Sequence, residues 1–183
     1  LTQYFFENGS WRAVDTAGST YYFGANSTAR QKDPNDANKV FQWMLEKEID
    51  VHGNEINYTY FQDHNQIYLD SIVYAFRSGG TPLYRVKFSY LSKTSSSLSY
   101  ITGFPIETYK LLSQIDIASY EGSAYQIRRS YMLEYDSLSQ AISHLIRITE
   151  SASGISLPSL VFSYVTSGAS LNLLEKMENG RGG

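Results

Sequence analysis

Residues 43–74 limit the fold more than any other stretch, because they hold three short alternating apolar and polar patterns separated by turn-forming residues. The sequence Asp-Val-His-Gly-Asn at 50–54 marks a chain reversal, since Asp and Asn bond to nearby main chain and Gly accepts positive φ. Successive strand residues point to opposite faces, so Ile56, Tyr58 and Tyr60 are expected on one face. The run predicts neighbouring strands of a large β-sheet.

The composition agrees with a folded β protein. The chain has 183 residues, of which 42% are hydrophobic and 15% aromatic, and its mean hydropathy is -0.32. Aromatic side chains favour the half-buried surface of a strand. We therefore predict one β-rich segment over residues 1–183, of the all-β class, antiparallel and hairpin-rich. We predict that the strands form a curved sheet, with a β-sandwich or an open barrel as the alternatives, because local patterns do not record pairing order.

Charge and residue content argue against several functional classes. The 15 basic and 18 acidic residues give a net charge of -3, and no basic cluster is interleaved with aromatics, so we expect no nucleic-acid partner. No stretch approaches the roughly 20 apolar residues of a spanning helix, so we expect no membrane span. Without cysteine there are no disulfides or thiolate metal sites, which leaves the redox compartment open. Because the chain begins at Leu1, we expect a piece of a longer protein.

Turn residues divide the rest of the chain into further strands and connections. We predict strands over 11–14, 20–23, 40–49, 55–61, 68–76, 83–91, 107–120, 124–135, 144–149 and 160–165. Between them we predict a surface loop over 24–38, a turn over 77–82 and a polar connection over 92–99. A helical turn competes over 138–146. Residues 171–183 resemble the first half of a hairpin and predict a truncated C-terminal tail.

The histidines do not indicate a reactive centre. His52, His64 and His144 are far apart, and none has a partner at the spacing of a helical metal motif, so they are interpreted as turn or sheet-face residues. Asp63 beside His64 could belong to a hydrolase triad with one of the many serines. The sequence has no G-x-S-x-G turn to hold such a nucleophile.

One polar loop could bind a hard cation. Asp33, Asn35, Asp36 and Asn38 offer four oxygen ligands of the kind that calcium prefers. The spacing lacks the sixth-position Gly and the distal Glu of a calcium loop, and hydrogen bonds from Asx side chains to nearby main chain explain the same residues. We interpret the loop as turn chemistry.

Two further groups leave alternatives open. Glu46, Glu48 and Asp50 lie on one strand face by alternation and could supply a glycosidase carboxylate pair, although a solvated face explains them equally. The 16 tyrosines either fill a sheet interface or form an exposed ladder that binds sugars or peptides. We predict no catalytic, cofactor-binding or metal-binding residues, no enzyme activity and no cofactor. A secreted adhesin or carbohydrate-binding β-module is the alternative.

Four segments carry a resemblance to a known family. Residues 11–24, W-R-A-V-D-T-A-G-S-T-Y-Y-F-G, are similar to its W-x-V-x-[TD]-x-x-G-x-x-Y-x-F-G hairpin. Residues 43–60 resemble W-x-L-x-x-x-x-D-x-x-G-N-x-[IV]-x-Y-x-Y, and 68–74 resemble Y-L-x-x-I-x-Y. Residues 173–182 are similar to L-L-x-x-[IVM]-x-N-G-x-G. The family is the rearrangement-hotspot (RHS, or YD-repeat) shell proteins, nearest to the insecticidal toxin-complex B component and the Salmonella virulence plasmid 65 kDa B protein. Residues 76–119 match loosely.

The resemblance implies a structural role. It implies a virulence-associated, secreted or cell-surface bacterial protein, and a wall segment of a hollow β-sheet cocoon around a C-terminal toxic polypeptide. The implied partners are the remainder of the parent shell protein and that encapsulated polypeptide. Open strand edges would also permit self-association. No catalytic residues carry over, because in the family activity resides in the cargo.

Overall fold

The computed structural model describes residues 1–76, 80–140, 142–166 and 172–180, which are almost entirely antiparallel β-strand. The strands are β1 Gln3–Glu7, β2 Ser10–Val14, β3 Thr20–Phe23, β4 Arg30–Asp33, β5 Asp36–Trp43, β6 Leu45–Ile49, β7 Glu55–Asp63, β8 Gln66–Phe76, β9 Pro82–Ser99, β10 Ile106–Glu121, β11 Ala124–Tyr135, β12 Leu145–Ala152, β13 Ile155–Ser156, β14 Leu160–Thr166 and β15 Asn172–Asn179. A short 3-10 helix, Ser27–Ala29, precedes β4.

One large sheet follows the chain as a meander. Its order is β1-β2-β3-β6-β7-β8-β9-β10-β11-β12-β14-β15, with β13 paired to β12, and every recorded strand pair is antiparallel. Hairpin β4–β5 forms a separate two-stranded sheet inserted between β3 and β6. The large sheet is curved and does not close, with β1 at one edge and β15 at the other. The prediction of an all-β antiparallel curved sheet is confirmed, and the sandwich and barrel alternatives are wrong.

Two turns use the same side-chain chemistry. At residues 15–19, Asp15 Oδ1 accepts hydrogen bonds from the main-chain N–H groups of Ala17 and Ser19, both at 2.9 Å. At residues 50–54, Asp50 Oδ1 accepts from His52 and Asn54, both at 2.8 Å. Each turn has a Gly at positive φ three residues after the Asp. The predicted reversal at 50–54 is confirmed.

The strand register puts unlike side chains on the two faces of the sheet. One row across β7 to β10 is apolar and consists of Tyr58, Ile72, Val86 and Ile117. The adjacent row, on the opposite face, is polar and consists of Thr59, Ser71, Lys87, Asp116 and Ser130. Because consecutive residues of a strand face opposite ways, the two rows cannot exchange sides without breaking the register.

Most side chains are only half-buried, as expected for a single layer. Among the described residues, no large side chain is fully buried, and the buried apolar set is small: Ala13, Ala29, Ile67, Tyr68, Phe104, Ile106 and Ala118. Many large apolar side chains are exposed, including Ile127 and Met132 on the interior strand β11. The described sheet therefore has apolar surface without a second layer over it.

The inserted hairpin corrects the predicted loop over 24–38. The 3-10 helix, β4 and the start of β5 occupy most of that segment. Trp43, at the end of β5, donates from Nε1 to the Gly9 carbonyl at 2.8 Å, and a Cβ built on Gly24 would lie 2.4 Å from its Cδ1. These strands are polar and are held in place by contacts with residues distant in sequence. Local alternation of polar and apolar residues does not reveal such contacts.

Four other predictions need correction. The strand predicted over 40–49 is two strands in different sheets, because Met44 bonds to Ala29 and Gly24 instead of continuing either strand. The polar stretch 92–99 continues β9, since its backbone pairs with β10. Strand β1 was not predicted, although the hairpin signal Asn8-Gly9 precedes β2. The described part of 138–146 contains no helix, and β12 begins at Leu145.

The remaining strands are confirmed within a few residues, and Ala124–Tyr135 matches at both ends. Within the predicted tail, Asn172–Asn179 is a strand paired with β14. Residues 77–79 of the predicted turn, and residues 171 and 181–183 of the tail, lie outside the described residues.

Candidate functional site

A β-bulge of one type recurs at every second step across the sheet. In each case an aromatic residue pairs with a leucine, and the residue after that leucine has no partner on the neighbouring strand. This unpaired residue is the extra residue of the bulge. The five pairs are Phe23 with Leu45, Tyr60 with Leu69, Tyr90 with Leu112, Tyr135 with Leu145 and Tyr164 with Leu174. The extra residues are Glu46, Asp70, Ser113, Ile146 and Glu175.

Each tyrosine of these pairs also reaches back to the previous bulge. Its hydroxyl donates a hydrogen bond to the main-chain carbonyl of the leucine there. We call these four hydrogen bonds the tyrosine bridges: Tyr60 to Leu45 at 2.6 Å, Tyr90 to Leu69 at 2.7 Å, Tyr135 to Leu112 at 2.8 Å and Tyr164 to Leu145 at 2.8 Å. The bridges link consecutive hairpins along the whole series from β6 to β14.

The tyrosine bridges form where main-chain pairing between hairpins ends. Between β6 and β7, the last paired residues are Lys47 and Asn57, which lie two residues after Leu45 and three before Tyr60. The same offsets hold between β8 and β9, β10 and β11, and β12 and β14. Beyond that point the leucine carbonyl has no main-chain donor from the next hairpin, and the tyrosine hydroxyl supplies one.

Burial keeps three of the four bridging hydroxyls, those of Tyr60, Tyr90 and Tyr135, protonated to higher pH than an exposed tyrosine. It raises the pKa of Tyr60 to about 12, with smaller contributions from the Tyr58 hydroxyl and the Glu46 carboxylate. Burial also raises the pKa of Tyr90 and Tyr135. A neutral hydroxyl is the form that donates, so the environment favours the bridged state.

A second feature is an aromatic depression near the β1 edge. Tyr4, Trp11, Phe23 and Trp43 line a volume of about 550 Å³. The Trp11 and Trp43 rings are nearly perpendicular, at 88° with centroids 6.3 Å apart, and Phe6 is tilted 48° to Trp11. A sugar-binding platform would present near-coplanar exposed rings, whereas Trp11 and Trp43 pack edge to face.

The hydrolase hypothesis placed Asp63 next to His64, and the structure brings them together. His64 Nδ1 lies 3.0 Å from Asp63 Oδ1, and Lys110 Nζ lies 3.3 Å from Asp63 Oδ2. The His64 ring also packs against Tyr109 at a 44° tilt, with centroids 4.4 Å apart, and His64 has one of the two positive φ angles of the β7–β8 turn. The Asp63 carboxylate thus lies between the His64 ring and the Lys110 ammonium group in an exposed hairpin turn. This arrangement gives Asp63 and His64 a structural role.

The polar loop shows turn chemistry in the structure. Asp33 Oδ1 accepts from the Asn35 N–H at 2.9 Å, and Asp36 Oδ1 accepts from the Asn38 N–H at 3.0 Å. Within the described ranges, no group of three or more His, Cys, Asp or Glu side chains could hold a metal ion. The loop therefore offers a β-hairpin reversal between β4 and β5.

The three acidic residues 46, 48 and 50 have separate surroundings. Glu46 is the extra residue of a bulge, is buried, and accepts hydrogen bonds from the Asn26 main chain and side chain. Glu48 pairs with Tyr21 and Ile56 across the sheet. The pKa of Asp50 is lowered first by the Asn54 side chain and then by main-chain hydrogen bonds in its turn.

The other two histidines lie in connections. His52 is in the 50–54 turn, where its N–H donates to Asp50. His144 lies before β12, with Nδ1 2.8 Å from Asp136 Oδ2. Burial raises the pKa of Asp136, but hydrogen bonds from the His144 side chain and main chain outweigh it, so the pKa stays below its usual value. The structure keeps the three histidines in different connections, as the sequence predicted.

A sequence profile described as "Salmonella virulence plasmid 65kDa B protein" (SpvB) matches residues 3–100, which is more than half of the chain. The chain belongs to the SpvB family. The predicted recognition is therefore confirmed, and the matched range includes three of the four sequence segments that suggested it. No curated protein sequence matches this SpvB-family chain.

Solved structures show the same fold at low identity. The chain of "Crystal Structure of TcdB2-TccC3-Cdc42" matches with a TM-score of 0.76 and 20% identity, over 89% of this chain and 11% of that one. The N-terminal domain of effector protein SpvB from Salmonella typhimurium strain LT2 matches with a TM-score of 0.75 and 19% identity, over 82% and 64%. The Photorhabdus luminescens Tc holotoxin pore carrying TccC3-D651A matches with a TM-score of 0.75 and 20% identity, over 89% and 11%.

The SpvB-family chain thus spans about a tenth of the toxin-complex chains and under two thirds of the SpvB chain. Within the part of the chain that the structure describes, no helix has the length and apolar content to cross a membrane.

Sequence reasoning missed the tyrosine bridges. A signal was present, because Tyr60, Tyr135 and Tyr164 precede Leu69, Leu145 and Leu174 by nine or ten residues. The fourth pair, Tyr90 and Leu112, is separated by a much longer hairpin, so the repeat has no constant period.

Proposed function

We propose that this chain is a non-enzymatic wall segment of a larger β-sheet shell that encloses a polypeptide. The observation that carries the proposal is the repeated hairpin unit, joined by tyrosine bridges into one open, single-layered sheet. Such a unit extends by addition of further hairpins, which is how a wide wall can be built from a chain.

The uncovered apolar surface supports the same proposal. Ile127 and Met132 project from interior strand β11 and are more than half exposed. A monomeric globular domain covers surface of this kind with a second layer. In a shell, the remainder of the wall or the enclosed polypeptide would cover it.

Residues that were considered for catalysis have structural roles in the sheet. Asp63 and His64 are used in a hairpin turn with Lys110, and Glu46 holds the inserted hairpin through Asn26. The Asp50 carboxylate likewise accepts main-chain hydrogen bonds in its turn. We propose secretion or surface location on the basis of family membership.

Self-association of the purified chain tests the proposal. A wall segment leaves β1 and β15 unprotected, so sedimentation velocity should show concentration-dependent oligomers. Leu173→Lys with Met177→Lys on β15, whose side chains are 64% and 61% exposed, should reduce association by placing charge on an edge.

Ile127→Lys with Met132→Lys on interior strand β11 is the matched control, because it adds the same charge at similar exposure away from an edge. We expect this control to associate more than the β15 variant. A wild-type chain that stays monomeric at all concentrations, with slow amide exchange in β1 and β15, would contradict a wall segment.

A further inference from the structure

Strand β15 ends the described sheet with a bulge that has no bridge. Tyr164 pairs with Leu174 and Ser163 with Lys176, so Glu175 is the extra residue, as at the four preceding bulges. Within the described ranges, β15 pairs with β14 alone. The Leu174 side chain is 55% exposed.

The two sheet edges are not equivalent. At the other edge, β1 pairs with β2 and β2 with β3 in continuous register, from Gln3 with Val14 through to Val14 with Thr20. That edge has no bulge that would present a leucine carbonyl to a tyrosine. An added strand should therefore find the chemistry of the tyrosine bridges at β15 and not at β1.

We propose that the side of β15 facing away from β14 binds an antiparallel strand carrying a tyrosine three residues after the residue that pairs with Lys176. The tyrosine hydroxyl then donates to the Leu174 carbonyl. This inference names a partner for the proposed wall segment and rests on that proposal for its context. Its register comes from the four observed bridges, which share these offsets.

The chemistry explains why tyrosine is required. Past each bulge, the leucine carbonyl loses its main-chain donor from the next hairpin, and the hydroxyl reaches it at 2.6 to 2.8 Å. Phenylalanine has the same ring but no donor, so it would leave the carbonyl to water. Affinity of an added strand should therefore depend on one oxygen atom.

The β14 strand of this chain provides the probe. A synthetic peptide of residues 157–166, L-P-S-L-V-F-S-Y-V-T, carries Tyr164 three residues after Val161, the residue that pairs with Arg147 in the β12–β14 step. On β15, Val161 of the peptide would lie opposite Lys176. The matched control is the same peptide with Tyr164→Phe.

Fluorescence anisotropy of labelled peptide against the full 183-residue chain measures binding. We expect the tyrosine peptide to bind about three- to tenfold more tightly than the phenylalanine peptide, as one net hydrogen bond supplies. Hydrogen exchange should show protection of residues 174–178 and none at Gln3–Glu7. Deletion of Glu175, which removes the bulge, should abolish the difference between the peptides.

Several results would overturn the inference. Equal affinity of the two peptides, protection confined to β1, or no binding of either peptide each contradicts it. Should the deletion variant fail to fold, the peptide comparison and the exchange map still decide. Equal binding at β15 would reject the tyrosine register and leave the wall segment intact, whereas a monomer with protected edges would reject the wall segment.

Discussion

The hydroxyl of Tyr60 donates a 2.6 Å hydrogen bond to the main-chain carbonyl of Leu45, across a gap where β6 and β7 no longer pair. Tyr60 also pairs with Leu69 on its other side. One side chain therefore links three consecutive strands, and the same arrangement recurs at Tyr90 and Tyr135. A sheet of one layer has little core, so such links between hairpins contribute a larger share of its stability than they would in a two-layered domain.

Removing one bridge should destabilise the sheet. We expect Tyr60→Phe to lower the free energy of unfolding by about 1 kcal/mol, because the Leu45 carbonyl loses its donor. Tyr58→Phe is the matched control, since Tyr58 lies on the same strand and face and no hydrogen bond of its hydroxyl occurs among the described residues. Urea denaturation followed by circular dichroism measures both. Equal losses for the two variants would argue against the bridge.

High pH should weaken the fold through the same tyrosine. The pKa of Tyr60 is raised from 10.0 to about 12 in the folded chain. Between these values the unfolded chain has lost the proton that the folded chain retains, so stability is full below pH 10 and falls as pH rises toward 12. Denaturant midpoints from pH 9 to 12 measure this, and Tyr60→Phe should flatten the decline relative to Tyr58→Phe.

The inserted hairpin should depend on a glycine that has no room for a side chain. Gly24 has φ +64, and a Cβ there would meet the Trp43 ring at 2.4 Å. Gly24→Ala should therefore move Trp43 and change its fluorescence, besides lowering the unfolding midpoint. Gly53→Ala, with φ +80 and open space around its Cβ, should show only the roughly 1 kcal/mol of left-handed backbone strain. The same fluorescence change in both variants would contradict the contact.

The 50–54 turn should lose stability when its carboxylate is removed. Asp50→Ala deletes the acceptor of the His52 and Asn54 N–H groups, whereas Asp50→Asn retains a side-chain oxygen. We expect the alanine variant to unfold at lower denaturant than the asparagine variant. Exchange of the His52 and Asn54 amides should accelerate most in the alanine variant.

Acid should destabilise this turn, whereas base destabilises the sheet at Tyr60. The pKa of Asp50 is lowered in the folded chain, so its contribution is present above its ordinary pKa of 3.8 and is lost as pH falls below it. Denaturation at pH 6 and pH 3 should show a smaller acid loss for Asp50→Asn than for wild type. An equal acid loss in both would show that other carboxylates dominate.

The sequence by itself determined the class and most of the strands. Alternation and turn residues located β7, β8, β11 and the hairpin of β2 and β3, because strand period and turn chemistry are local properties. The four motif segments also led to the right family. Asp15 and Asp50 could be identified as turn residues for the same local reason.

Only the tertiary structure decided the features that depend on pairing. The division at Met44, the strand character of 92–99 and the docking of Trp43 on Gly24 are set by partners far away in the chain. The tyrosine bridges need a bulge in one hairpin and a hydroxyl in the next, separated by 15 to 23 residues. A strand pattern records which face a side chain occupies, whereas the register that brings Tyr60 to Leu45 exists only once the sheet has formed.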